Sequence, residues 1–139
     1  MNDQQKVSAT IRLKVPFHDV DALGVVWHGN YLKYFEVARE ALFEKCGIDT
    51  AAYHRQTGVI FPIIRSSIKH IRPLTFQQEF LCTASVREAK RKIVLDFEIS
   101  LPADGAVCTR GSTEQVAVHA PTMRLELRIP EDIGRALGS

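Results

Sequence analysis

The stretch YLKYFEVAREALFEKC, residues 31–46, decides the fold. At 100° per residue, Lys33, Glu36, Glu40 and Glu44 fall within one narrow arc. Tyr31, Phe35, Ala38, Leu42 and Cys46 fill the opposite side, and Leu32, Tyr34, Ala41 and Phe43 widen the apolar arc. A helix apolar over so much of its circumference must be covered on several sides, which predicts a central position. Asn30 is the expected N-cap. Gly47 is the expected C-terminal stop.

On the N-terminal side, Thr10 to Val15 alternates strictly, so Ile11, Leu13 and Val15 share one face of a strand that ends near Pro16. A loop from Phe17 to Asn30 leads into the helix. Beyond it, Asp49 to Gln56 predicts a short second helix closed by Gly58. The remainder is β in character. Val59 to Ile71 is rich in Ile, Phe and Val and ends at a Pro73 turn. Phe80, Cys82, Ala84 and Val86 alternate with more polar neighbours. Ile93, Leu95, Phe97, Ile99 and Leu101 face opposite to Asp96, Glu98 and Ser100. Ala103-Asp104-Gly105 signals a hairpin turn, and Val107–His119 and Met123–Ile129 supply the last strands. One strand, one long helix and several strands predict an α+β fold, a curved antiparallel sheet wrapped around the helix. With no repeat or linker, residues 1–139 read as a single domain.

Composition removes several function classes. At 45% hydrophobic and 24% charged residues, the chain is an ordinary globular sequence rather than a disordered one. No run approaches the roughly 18 apolar residues of a membrane span. The opening MNDQQKVSAT lacks an apolar h-region, so a secretory signal is not expected. Cys46, Cys82 and Cys108 are far apart without a CxxC pair, which predicts buried thiols in a reducing, cytoplasmic setting. A net charge of +2 gives no argument for nucleic acid, and the Arg65, Lys69, Arg72 cluster lacks interleaved aromatics. The five His show no HExxH or paired spacing, so no metal is expected. GxSxG, Walker and GxGxxG motifs are absent, which removes the α/β-hydrolase, NTPase and dinucleotide readings.

Two places carry chemistry. The first is the loop entering the helix, which brings Asp21 and His28 to a helix N-terminus. Unpaired N–H groups and the helix dipole there favour developing negative charge, as on a carbonyl under attack. Asp21 can then attack or activate water. The plainer alternative has Asp19 and Asp21 in Asx-turns, with His28 filling space near the cap. The second place is the run Lys90-Arg91-Lys92, with Arg87 nearby, in a connection between strands. Adjacent cations there suit phosphate groups, or simply form a solvated hairpin tip.

Residues 17–48, FHDVDALGVVWHGNYLKYFEVAREALFEKCGI, closely resemble the opening motif of the 4-hydroxybenzoyl-CoA thioesterase-like branch of hotdog-fold proteins. They are especially similar to the acyl-CoA thioesterases encoded with the Tol–Pal system of Gram-negative bacteria. The similarity extends over most of the chain, through the Pro73 turn, the basic hairpin and the closing Ile129-Pro130 segment.

The resemblance implies an acyl-CoA thioesterase that needs no cofactor or metal. Asp21 matches the family's catalytic carboxylate, a nucleophile or a general base. His28 matches the histidine of the Tol–Pal-associated branch, where the hydroxybenzoyl enzyme has Tyr. The implied role is a main-chain oxyanion donor beside Gly29, with the imidazole positioning water. Glu36 falls where the hydroxybenzoyl enzyme has an Asp near the substrate's hydroxyl, and with Trp27 it is assigned to the acyl pocket. Lys90, Arg91 and Lys92 align with a run that contacts CoA phosphates. Asn30, Tyr31 and Arg39 match positions read as cap, core and tether. Leu23 and Gly29 are less usual choices in the loop. The resemblance also implies edge-to-edge pairing into a dimer or tetramer with shared sites. An acyl-carrier-protein thioester in place of CoA, a hotdog dehydratase and a non-enzymatic acyl-CoA-binding protein are the alternatives.

Overall fold

The structure, a computed structural model, describes residues 6–138. Its elements run β1 (Ser8–Lys14), α1 (Tyr31–Lys45), α2 (Thr50–Thr57), β2 (Val59–Ile60), β3 (Ile63–His70), β4 (Glu79–Glu88), β5 (Ile93–Ser100), β6 (Val107–Gln115), β7 (Val118–His119), β8 (Arg124–Leu125) and α3 (Glu131–Ala136). Single 3-10 turns lie at Phe17–Asp19 and His28–Asn30. The main sheet is antiparallel, in the order β1-β4-β5-β6-β3, and β2, β7 and β8 form a second, small sheet. This is the α+β arrangement expected from the sequence, with α1 lying across the apolar face of the main sheet.

Alternation along each strand makes that face. Phe80, Cys82 and Ala84 of β4 and Ile93, Leu95, Phe97 and Ile99 of β5 are buried, while Glu98 between them is exposed. Register puts Ala84, Phe97, Gly111 and Ile68 side by side across four strands. Phe35 of α1 stacks on Phe97 in that row, with ring centroids 4.5 Å apart and planes 9° apart. Gly111 makes room for it, since a Cβ there would meet Phe35 Cε2 at 2.5 Å and the Ser67 carbonyl oxygen at 2.7 Å.

The helix ends as the sequence predicts. Gly47 has φ of +76°, its N–H donates to Glu44 O, and the Ile48 N–H donates to Phe43 O, the paired bonds of a Schellman stop. Asp49 caps α2 by accepting from the Ala52 N–H. Cys46, Cys82 and Cys108 are free thiols, and burial pushes the Cys82 thiol up to about 12.

Four expectations need correction. Asn30 does not cap α1 with its side chain, because a 3-10 turn precedes the helix and gives Asn30 helical backbone angles. Its amide donates instead to Asp19 O. The helix is covered along one stripe only within the chain, leaving Leu32 and Val37 about two-fifths exposed. Val59–Ile71 is broken at Phe61-Pro62, where a proline cannot continue a ladder, so its halves join different sheets. Met123–Ile129 contributes only Arg124–Leu125 as strand, and the short helix α3 that follows was not foreseen.

Candidate active site

The loop before α1 folds back on itself as a narrow ribbon. Val20 bridges Val26, the Asp21 N–H donates to Val25 O, and the Trp27 N–H donates to Asp19 O at 3.0 Å. The Val26 N–H reaches Leu74 O, which moors the ribbon to the chain leaving β3. Asp21 therefore sits near the ribbon's tip. His28 and Gly29 follow directly from its returning arm.

The carboxyl of Asp21 is half-buried, and its Oδ1 accepts the Leu23 N–H at 2.8 Å. This is the Asx-turn of the plainer reading, and it uses one oxygen while leaving Oδ2 without a described partner. Asp19 makes no such turn. Its side chain is 1% exposed, with Lys33 Nζ donating to Oδ1 at 2.5 Å and the Tyr34 hydroxyl donating to Oδ2 at 2.6 Å. Burial raises the Asp19 pKa, but these two donors and the Lys33 charge outweigh it and hold the carboxyl below its ordinary value. Burial, then the bond to Asp19, pushes the Tyr34 hydroxyl well above the usual range. The plainer reading placed both aspartates in Asx-turns; the signal for Asp19's different place was Lys33 and Tyr34, in the first turn of the helix.

His28 and Gly29 open the 3-10 turn that runs into α1. Such positions carry the orphan donors of a helix start. Among the described hydrogen bonds neither main-chain N–H has a partner, and no side chain caps the turn. The imidazole of His28 is exposed and lies 5.0 Å, centroid to centroid, from the half-exposed ring of Trp27. That ring folds over Gly29, where a Cβ would stand 2.1 Å from Trp27 Cζ3. Gly29 is thus the residue that lets the indole rest against the turn.

Glu36 lies five residues into α1, about 8 Å along its axis. It accepts a bond from Arg39 Nη1, while Arg39 Nη2 donates to Thr113 Oγ1 and ties the helix to β6. Arg39 is only 4% exposed and packs over Phe97. Both Glu36 and Arg39 line a cavity of about 360 Å³ with His54, Phe61 and Gln115. Arg39 Nε and Gln115 Oε1 are buried with no partner among the described residues. Tyr31 is buried, its hydroxyl accepting the Leu74 N–H at 3.3 Å. Sequence reasoning missed Gln115 and took Arg39 only as a tether.

Lys90, Arg91 and Lys92 lie in the β4–β5 connection, away from these groups. Lys92 Nζ pairs with Glu114 at 2.9 Å, and the Arg91 and Lys92 N–H groups donate to Glu88. Arg87 pairs with Asp96. Among the described residues no ion pair engages Lys90 or Arg91. Lys90 lines a groove with residues 124–135, which includes no residue of the Asp21 loop. In one protomer Asp21 stands on the ribbon whose returning arm leads into the turn of His28 and Gly29, while the basic run lies in the β4–β5 connection. Among the described residues, no His, Cys, Asp and Glu cluster suits a metal, and no helix is long and apolar enough to cross a membrane.

Comparison with known proteins sharpens this. Residues 15–137 match the thioesterase-like superfamily. The chain is 30% identical over 124 residues to the 1,4-dihydroxy-2-naphthoyl-CoA hydrolase of Rippkaea orientalis, covering 88% of this chain and 85% of that one. A DHNA-CoA thioesterase structure from Staphylococcus aureus superposes with a TM-score of 0.80 at 26% identity, over 86% of this chain and 80% of that one. The 4-hydroxybenzoyl CoA thioesterase structure from Pseudomonas sp. strain CBS-3 gives 0.82 at 21% identity, over 93% and 98%, a likeness of fold. With that ribbon, that helix start and that sheet, the chain belongs to the thioesterase-like superfamily of hotdog-fold enzymes, the hydrolases of thioesters.

Proposed function

We propose that the protein hydrolyses an acyl- or aroyl-CoA thioester to the free acid and CoA. The observation that carries this is a half-buried carboxylate, Asp21, with one oxygen uncommitted, on the ribbon that ends in the unpaired N–H groups of His28 and Gly29. Asp21 either attacks the thioester carbonyl, giving an acyl-carboxylate anhydride that water then hydrolyses, or takes a proton from the water that attacks the carbonyl. The two N–H groups and the helix dipole stabilise the oxyanion as the carbon becomes tetrahedral. Collapse breaks the C–S bond and releases CoA thiolate, which takes a proton; water supplies the oxygen of the acid. The exposed His28 imidazole is suited to positioning that water.

Glu36 and Trp27 belong to the acyl side in this reading. The cavity beside Glu36 is polar at its base, through Arg39 and Gln115, which favours an oxygen-bearing acyl end such as a hydroxylated ring. The naphthoyl and hydroxybenzoyl substrates in the names of the relatives point the same way. Lys90 and Arg91 meet CoA phosphates, with Lys92 held back by Glu114. Because the basic run lies in the β4–β5 connection and Asp21 on the ribbon before α1, we assign the complete site to a dimer or tetramer formed through the β3 edge, in a cytoplasmic setting. The test is thiol release, followed with a chromogenic thiol reagent, over aromatic, short-chain and long-chain acyl-CoAs. Release from hydroxylated aroyl-CoAs is expected. No release from any thioester contradicts the enzyme reading and favours a binding protein, while release only from acyl-carrier-protein thioesters moves the substrate to that carrier.

A further inference from the structure

The buried carboxylate of Asp19 has no part in the chemistry above, yet it is the most heavily bonded group near the site. We infer that Asp19 is a positioning residue that sets Asp21 and the oxyanion turn against each other. This rests on the proposed roles of Asp21, His28 and Gly29.

The side chain and the carbonyl of Asp19 are committed to different parts of the site. Oδ1 accepts from Lys33 Nζ and Oδ2 from the Tyr34 hydroxyl, both on the first turn of α1. Its carbonyl oxygen accepts the Trp27 N–H at 3.0 Å and Asn30 Nδ2 at 2.9 Å, the residues that bracket His28 and Gly29. Asp21 lies two residues along the same arm of the ribbon. One residue thus joins the arm carrying the carboxylate, the turn carrying the donors and the helix whose dipole acts on the oxyanion.

A carboxylate this deeply buried needs every acceptor filled, so it tolerates few geometries. Lys33 is itself half-exposed, and its ammonium lies 2.5 Å from Oδ1 rather than out in solvent. His18 approaches the same oxygen at 3.7 Å with an exposed ring. The bonds to both the ribbon and the helix fix the separation of Asp21 from His28 and Gly29, the distance on which turnover depends.

The test uses Asp19→Asn and Lys33→Met in the full chain. For each, kcat and KM are measured on the most rapidly hydrolysed CoA thioester of the panel, well below the thermal midpoint. An error of about 1 Å in placing reacting groups costs roughly 10²-fold, so Asp19→Asn is expected to lose about that in kcat with KM within a few-fold. Lys33→Met, which removes one charged donor, is expected to lose about tenfold in kcat with a near-native circular dichroism spectrum. If either folded variant keeps kcat within about twofold, or shows its loss in KM, Asp19 is structural only and the inference falls. Should Asp19→Asn fail to fold, Lys33→Met decides alone. Asp21→Asn runs in parallel: near-normal turnover there removes the proposed mechanism, whereas an inactive Asp21→Asn beside a fully active Asp19→Asn removes only this inference.

Discussion

A methyl group on Gly29 would stand 2.1 Å from Trp27 Cζ3, and the half-exposed indole is free to swing aside. Gly29→Ala is therefore expected to cost little stability but to free the ring. Trp27 is the single Trp of the chain, so its fluorescence reports this directly. A red shift in emission, and a KM raised in the same direction as in Trp27→Leu, are the expected results. At Asp19 the sign of the pH effect follows from its lowered pKa. Its stabilising contribution is fully present above the unfolded carboxyl's value near 3.8 and is lost as pH falls through the lower folded value. Denaturant midpoints of the wild type and Asp19→Asn should converge on acidification through that window. An acid and a helix start are legible in the chain, which marked Asp21 and His28, and the family resemblance added Gly29. The sequence did not show that Asp19 would be buried, because that burial is decided by Lys33 and Tyr34 arriving from the helix.

Elements follow from pattern where a pattern is long enough to read. The 15 residues of α1 carry a clear 3.6-residue period, and β5 alternates from Leu95 to Ser100, so both were foreseen. The six residues of α3 include Gly134 and complete fewer than two turns, which leaves no period to detect. Leu125, Leu127 and Ile129 alternate like a strand, but the β7 partner offers only two residues to pair with. The tightest point between elements is Gly111 under Phe35. Gly111→Ala drives a methyl against the ring and a backbone carbonyl that cannot yield, so a loss of about 1–3 kcal/mol in urea unfolding is expected. An unchanged midpoint would mean that α1 sits further from the sheet.

For the whole molecule, β3 is an edge strand with one side of its ladder open, and Ile63 and Ile64 at its start are 43% and 55% exposed. An open edge that begins with two exposed isoleucines favours pairing with another copy. Ile64→Asp is expected to lower the mass seen by light scattering and to abolish thioester hydrolysis while leaving the circular dichroism spectrum intact. A mass of one chain in the wild type would contradict the shared site. No sequence pattern reports that β1 and β3 are the edge strands, since that depends on strand order. The proposed chemistry rests on Asp21, and its replacement gives the most direct test. Asp21→Asn preserves shape and the bond to the Leu23 N–H while removing the charge, so kcat should fall roughly 10²- to 10⁴-fold with the thermal midpoint nearly unchanged. Turnover close to that of the wild type would contradict a catalytic carboxylate at this position.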